Sequence, residues 1–428
     1  MKFHLLHPKE QIVRIMYRIY NGKMTTLSGG NLSLKDHNGD IWITPAGIDK
    51  GKLIPNDIMC VKTNGDVVGQ YKPSSELPFH ISIYKKRPDI KAIVHAHPPA
   101  LVSFSIVRSI PDTNIIPQAK RVCGKVGYAL YALPGSNKLG DNIAETFEQG
   151  YNVVLLENHG VAIGGTDLLN AFHRLETLEF CARTIIQAKR VGDFTTLTEE
   201  QISFFDHRQY DLPEFELTEH SSLEREIRSQ IVDIVHRACD RNLMISTEGV
   251  ASVRFEWNDF LITPSGLGRR SIDIEDIVMI KEGKKEKGKN PSRSVLLHQT
   301  VYNNNPQINS IITAQSPNVT AYAISKNFFE TRTIPESYVV LRDVPKIDFG
   351  VQYNNPGIIA NSLSNSIHVL LIQNDCLLTT GRNILEAFDR LEVAEFSANS
   401  LITSKIIGEC VKIDGNQIEE LNKRFSLS

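Results

Sequence analysis

The chain has no unbroken apolar run approaching the roughly 20 residues that cross a bilayer, so membrane insertion is not expected. Its start, MKFHLLHPKEQIVRIMYRIY, is broken by His, Lys and Glu and lacks the apolar core of a secretory leader. Cysteine is sparse. Cys60, Cys123, Cys181, Cys239, Cys376 and Cys410 form no CxxC pair and no dense framework, and they read as reduced thiols of a cytoplasmic protein. An excess of charge is also missing. The 47 Lys and Arg nearly balance 49 Asp and Glu, so a nucleic-acid partner held by a broad basic field is not expected. At 428 residues the chain exceeds one ordinary domain, and two or three are expected.

An internal repeat decides the organisation. VVLLENHGVAIGGTDLLNAFHRLETLEF at 153–180 is echoed by VLLIQNDCLLTTGRNILEAFDRLEVAEF at 369–396, an offset of 216. Ile43-Thr44-Pro45-Ala46-Gly47 returns as Ile262-Thr263-Pro264-Ser265-Gly266, offset 219. Pro73-Ser74 with His80, and Ile116-Pro117, return as Pro291-Ser292 with His298, and Ile334-Pro335, offset 218. Ordered matches at a nearly constant offset define a tandem duplication of one domain. The expected division is a first domain over 1–207, a polar, Pro-containing linker over 208–221, and a second domain over 222–428.

Within each copy, short β-type runs alternate with helical patterns. In the first, IWIT, IMCVK, KAIVHAH, VGYALYAL, VVLLEN and GVAIGG predict strands. SSELPFHISIYKKR, the segment after Pro134-Gly135-Ser136, and residues 166–190 predict helices. Strands that return over short turns suggest a mainly antiparallel sheet flanked by helices, an α/β layered domain. The lysine-rich KEGKKEKGK at 281–289 reads as a solvated hairpin loop.

The chemistry gathers in the first copy. His95 and His97 end an apolar strand, where residues i and i+2 share a face and can reach one ion. His159 closes another apolar run, and three histidines with an open fourth position suit a catalytic metal. The second copy is an internal control: Thr313, Gln315 and Asp375 stand at these positions while the apolar framework persists, so the fold itself does not demand the histidines. Glu76, opening a predicted helix, is either a ligand or general base or else a helix-start acid facing the dipole. Its counterpart is Ser294, lost together with the histidines. His80, kept as His298, reads as structural. Ser28-Gly29-Gly30-Asn31, the turn holding Thr44 and Gly47, and Ser74-Ser75 at a helix start could each receive an anion on backbone N–H groups. Val250 replaces Asn31 in the second copy.

Together SGGNLS (28–33), ITPAGID (43–49), PSSELPFH (73–80), AIVHAHPP (92–99), ALPGSNKL (132–139) and LLENHGV (155–161) resemble the class II aldolase/adducin family, in the family's order. The resemblance implies an αβα sandwich with a central mainly antiparallel sheet, present as two tandem copies, the second stripped of its metal ligands. It implies one Zn2+ or other divalent metal per chain on His95, His97 and His159, with Glu76 as the acid–base residue. Phosphate would be bound at Gly30, Asn31, Thr44, Gly47, Ser74 and Ser75. The implied activity is cleavage of a ketose phosphate into dihydroxyacetone phosphate and an aldehyde through a metal-stabilised enediolate. The alternatives are epimerisation, decarboxylation or dehydration on the same scaffold, or a non-catalytic, adducin-like interaction role. Family epimerases typically carry Asp at the acidic position, so Glu76 favours the aldolase, decarboxylase or dehydratase. Family aldolases place a neighbouring subunit's tyrosine near the substrate, in the segment matched by IPDTNIIPQAKRV, which has none; Tyr338 in the second copy is the candidate proton donor in its place. A homo-oligomer is also implied, for instance a dimer whose four domains form a pseudo-fourfold ring.

Overall fold

The computed structural model describes residues 3–206 and 211–427; the expected boundary at 207 and residues 208–210 of the expected linker lie outside them. Two compact units result, one of Met1–Thr113 with Ala119–Arg183, the other of Asn114–Gln118 with Thr184–Ser428. The division therefore falls inside the stretch expected as the first domain, and a short piece of that stretch belongs to the second unit.

In the first unit eight strands form one sheet: β1 (Asn31–Lys35), β2 (Ile41–Ile43), β3 (Met59–Val61), β4 (Val67–Val68), β5 (Ala92–Ala96), β6 (Val126–Ala129), β7 (Val153–Leu156) and β8 (Gly160–Gly165). Their order is β4-β3-β2-β1-β5-β8-β7-β6. Every pairing is antiparallel except β6 with β7. The central β5 is buried at all five positions, as its AIVHA sequence requires for a strand covered on both faces.

Helices cover the sheet. Helix α1 (Pro8–Asn21) begins with Pro at its first turn and buries Ile12, Ile15, Met16 and Ile19, a stripe at helical spacing. Helix α2 (Leu77–Lys86) packs Phe79, Ile83 and Tyr84 into the core built on Ile41, Ile43 and Ile93. Helices α3 (Pro99–Ile106), α4 (Asn137–Glu148) and α5 (Leu168–Val191) follow, α4 opening where Ser136 Oγ accepts from the Leu139 amide.

The second unit holds a nine-stranded sheet of β9 (Glu214–Phe215), β10 (Val250–Glu256), β11 (Asp259–Ile262), β12 (Val278–Lys281), β13 (Lys284–Glu286), β14 (Ser310–Ala314), β15 (Lys346–Ile347), β16 (Val369–Ile372) and β17 (Cys376–Gly381). The registers match between units: Asn31 lies opposite His95 across β1 and β5, and Val250 opposite Thr313 across β10 and β14.

Three local expectations are corrected. The Gly-rich turn gives way at Asn31 to strand β1, since NLSLK alternates two leucines with polar residues that prove buried. The expected VGYALYAL strand ends at Ala129, beyond which Leu130, Tyr131 and Leu133 are exposed. The lysine-rich hairpin turns at Glu282-Gly283, but its far arm is β13, not solvated loop: Glu286 is buried and accepts from Arg228 Nη2 at 2.8 Å and the Met279 amide at 3.1 Å. All six cysteines are free, five of them buried. Among the described residues no helix is long and apolar enough to cross a membrane.

Candidate active site

Strand β5 delivers His95 and His97, and the turn between β7 and β8 delivers His159. That turn needs Asn158 in the left-handed region at φ +53° and no side chain at Gly160, whose added Cβ would stand 2.5 Å from the Ala96 carbonyl oxygen. The three imidazoles offer nitrogens within 4.8 Å of one another, the sole such cluster of metal-binding side chains among the described residues.

One hydrogen bond fixes which nitrogen of His95 faces inward. His95 Nδ1 lies 3.0 Å from the Val161 carbonyl, which can only accept, so Nδ1 carries the proton. Burial holds His95 and His97 neutral, pushing both down to about 3, with His159 adding to the effect at each and His95 adding to it at His97; burial lowers His159 as well. His95 Nε2 is therefore a bare lone pair. It faces His97 Nε2 at 3.0 Å and Glu76 Oε2 at 3.2 Å, while Glu76 Oε1 lies 3.7 Å from His159 Nε2. With Nδ1 of His95 protonated, the contact between His95 and His97 is either a hydrogen bond donated by His97 or two lone pairs that a cation would bridge. Two nitrogens on a tetrahedral ion, each about 2.0–2.1 Å from it, stand roughly 3.3 Å apart, close to the 3.0 Å between His95 and His97, within a cluster whose nitrogens all lie inside 4.8 Å. The donor set fits a divalent metal, with a carbonyl behind one ligand to orient it.

Glu76 occupies the N-cap position of α2, yet its side chain makes no capping bond. Its carboxylate instead accepts from Asn31 Nδ2 at 2.7 Å and points to the imidazoles.

The expected phosphate residues lie on three turns. Gly30 has φ +67°, and an added Cβ would come within 2.7 Å of the His95 carbonyl oxygen, so the turn and β5 approach closely. The Thr44 turn meets the Ser74 turn through a Pro45–Pro73 bridge and a Ser74 amide donating to the Thr44 carbonyl at 3.1 Å. Gly47, at φ +68°, faces open space, and Ser75 is exposed. Ser74 Oγ accepts from the Glu76 amide. Asn31 commits both ends of its amide, one to Glu76 and one to His80.

Tyr338 belongs to the second unit, buried, with its hydroxyl donating to Asn422 Oδ1 at 3.0 Å. The counterpart of His159, Asp375, accepts there from Gln118 Nε2, Gln352 Nε2 and Tyr353 Oη at 2.7, 2.8 and 2.9 Å, so neutral donors fill the coordination a metal would need.

Sequence reading missed the contact between Asn31 and Glu76 and the link from Asn31 to His80. The exchange of Asn31 for Val250 beside a retained histidine was the available signal, but which side chains meet depends on the packing of α2 across β1.

A layered sheet carrying a three-histidine, one-carboxylate site in one of two repeats defines the class. The chain belongs to the class II aldolase and adducin family: the family described as Class II Aldolase and Adducin N-terminal domain matches residues 10–186 and again 229–402. Over 173 residues it is 38% identical to the L-fuculose phosphate aldolase of Methanocaldococcus jannaschii, covering 40% of this chain and 91% of that protein. It is similar also to the 3-oxo-tetronate 4-phosphate decarboxylase of Haemophilus influenzae, 34% identical over 42% of this chain and 86% of the relative. With the 5-deoxy-D-ribulose 1-phosphate aldolase of Bacillus thuringiensis it shares 32% identity over 45% of this chain and 91% of that protein.

Proposed function

We propose that the first unit is a divalent-metal lyase that cleaves a phosphorylated ketose to dihydroxyacetone phosphate and an aldehyde. The observation that carries this reading is the convergence of Glu76 with His95, His97 and His159 on one point. A zinc-type ion held by those histidines would supply Lewis-acid stabilisation of the charge that develops on the substrate oxygens. In the cleavage the C4 hydroxyl gives its proton to a water molecule, the C3–C4 bond breaks, and its electron pair moves into an enediolate over C2 and C3. A proton returned to C3 completes the first product, and Glu76 would deliver it. Gly47, which faces open space, and the exposed Ser75 offer the substrate phosphate unobstructed donors, whereas the first amides of α2 are already bonded or belong to Pro78. Tyr338 is assigned no step, because its hydroxyl is already bonded to Asn422.

Decarboxylation of a 3-oxo-acid phosphate is the second reading, favoured by the relative of that name at 34% identity. It passes through the same enediolate with carbon dioxide leaving in place of the aldehyde. A panel of ketose phosphates and 3-oxo-acid phosphates separates the two. Glu76→Gln should keep the metal and lower kcat by roughly 10²–10⁴-fold. Turnover near wild type would remove Glu76 from the chemistry, and loss of the metal would make it chiefly a ligand.

A further inference from the structure

Behind Glu76 a line of side-chain hydrogen bonds runs into the core. Asn31 Nδ2 donates to Glu76 Oε2 at 2.7 Å, and Asn31 Oδ1 lies 2.5 Å from His80 Nε2. His80 Nδ1 lies 2.6 Å from Ser33 Oγ, which lies 2.7 Å from Tyr84 Oη. The protons can be placed along it. An amide oxygen only accepts, so His80 Nε2 donates to Asn31. His80 is fully buried, which favours the neutral ring, so Nδ1 accepts from Ser33 and Tyr84 donates to Ser33. Each link then orients the next, and the last holds the carboxylate.

The second copy shows which half of this line the fold needs. Ser252 Oγ lies 2.7 Å from His298 Nδ1 and 2.7 Å from Tyr302 Oη, a repeat of the Ser33–His80–Tyr84 arrangement. Yet Val250 stands where Asn31 would be and Ser294 where Glu76 would be. There the buried Nε2 of His298 has no hydrogen-bond partner among the described residues. Packing and the Ser–His–Tyr bonds account for a histidine in both copies. The Nε2 side has a partner only in the copy that carries the carboxylate and the three imidazoles.

We infer that His80 is a positioning residue: its Nε2–H locks the Asn31 amide in the orientation that holds Glu76 Oε2 against the three imidazoles. The inference rests on the acid–base reading of Glu76. It predicts that His80 acts on turnover through Asn31 and not independently of it.

A double-mutant cycle on the full-length, metal-loaded protein tests this. His80→Phe keeps an aromatic ring beside Phe79, whose ring lies 4.3 Å from that of His80, and removes both nitrogens. It should retain wild-type metal content and lower kcat tenfold or more, with a smaller rise in KM. In an Asn31→Ala background it should lower kcat no further. His80→Gln, which restores a donor toward Asn31, should recover part of the loss. The same four proteins unfolded in urea should also show coupling between positions 31 and 80. Wild-type kcat in His80→Phe, a full second loss on top of Asn31→Ala, or absence of coupling in unfolding would overturn the proposal. Should His80→Phe not fold, His80→Leu, which also lacks any donor, closes the same cycle with Asn31→Ala. Wild-type turnover in Glu76→Gln would overturn the reading of Glu76 and this inference with it. A slow Glu76→Gln beside an additive cycle overturns the positioning role alone.

Discussion

His95 donates its Nδ1–H to the Val161 carbonyl, and that one bond turns its other nitrogen toward His97 and Glu76. The consequence is a metal count. With neutral ligands converging in one copy and Asp375 satisfied by Gln118, Gln352 and Tyr353 in the other, the full chain should hold one divalent ion, not two. His97→Ala should weaken that binding by more than the roughly 10–100-fold typical of losing a partner behind a ligand. Elemental analysis after dialysis reads both; two ions per chain, or full occupancy in the variant, would end the assignment. The histidines were legible in the sequence because the second copy lacks all three. The role of Asn31 was not. Its amide meets Glu76, 45 residues away, only through the packing of α2 on β1, and retention of His298 made His80 look purely structural.

At the N-terminus of α3, the amides of Ala100 and Leu101 donate to Glu179 of α5 at 3.2 and 3.1 Å, and Glu395 serves Asn318 and Val319 in the same way. Glu179 is so deeply buried that desolvation outweighs these two bonds and pushes its carboxyl up from 4.5 to about 7. Between those values the native state binds the proton and the unfolded chain does not. The contribution is therefore full below about pH 4.5 and is lost as pH rises through 7. Glu179→Gln carries no such proton. Urea unfolding at pH 5 and at pH 8 should show the variant gaining on wild type as pH rises, by about 1.4 kcal/mol for each unit of displacement. A difference independent of pH would mean that the two amides hold the carboxylate ionised. Elements with strong apolar signals, such as AIVHA and VVLL, were legible in the sequence. Strand β1 was not, because NLSLK carries only two apolar residues and its buried Asn31 and Ser33 are satisfied by α2, far along the chain.

On the scale of the whole chain, duplication is plain in the sequence, but the place where one unit yields to the other is not. Helix α5 runs unbroken from Leu168 to Val191, while the units divide at Arg183. Leu197, Ile202 and Phe205, all buried, belong to the second unit, and the Leu197 amide donates to the Asn114 carbonyl at 2.8 Å. A protein ending at Asp206 would expose those apolar side chains. It should give little soluble material and melt well below the full chain in calorimetry. A soluble fragment with a cooperative, full-length melting point would show that the repeat boundary is a true folding boundary.

Asn114–Gln118 lies within the first repeat but folds with the second unit, where the Ile115 carbonyl accepts from Asn374 Nδ2 at 2.9 Å. Descent makes this placement hard to undo. A lineage that lost the second repeat by one deletion would strand a loop of the first, and repair would need further substitutions at Asn114–Gln118 and along 184–206. On that account the second repeat would persist even with no activity of its own.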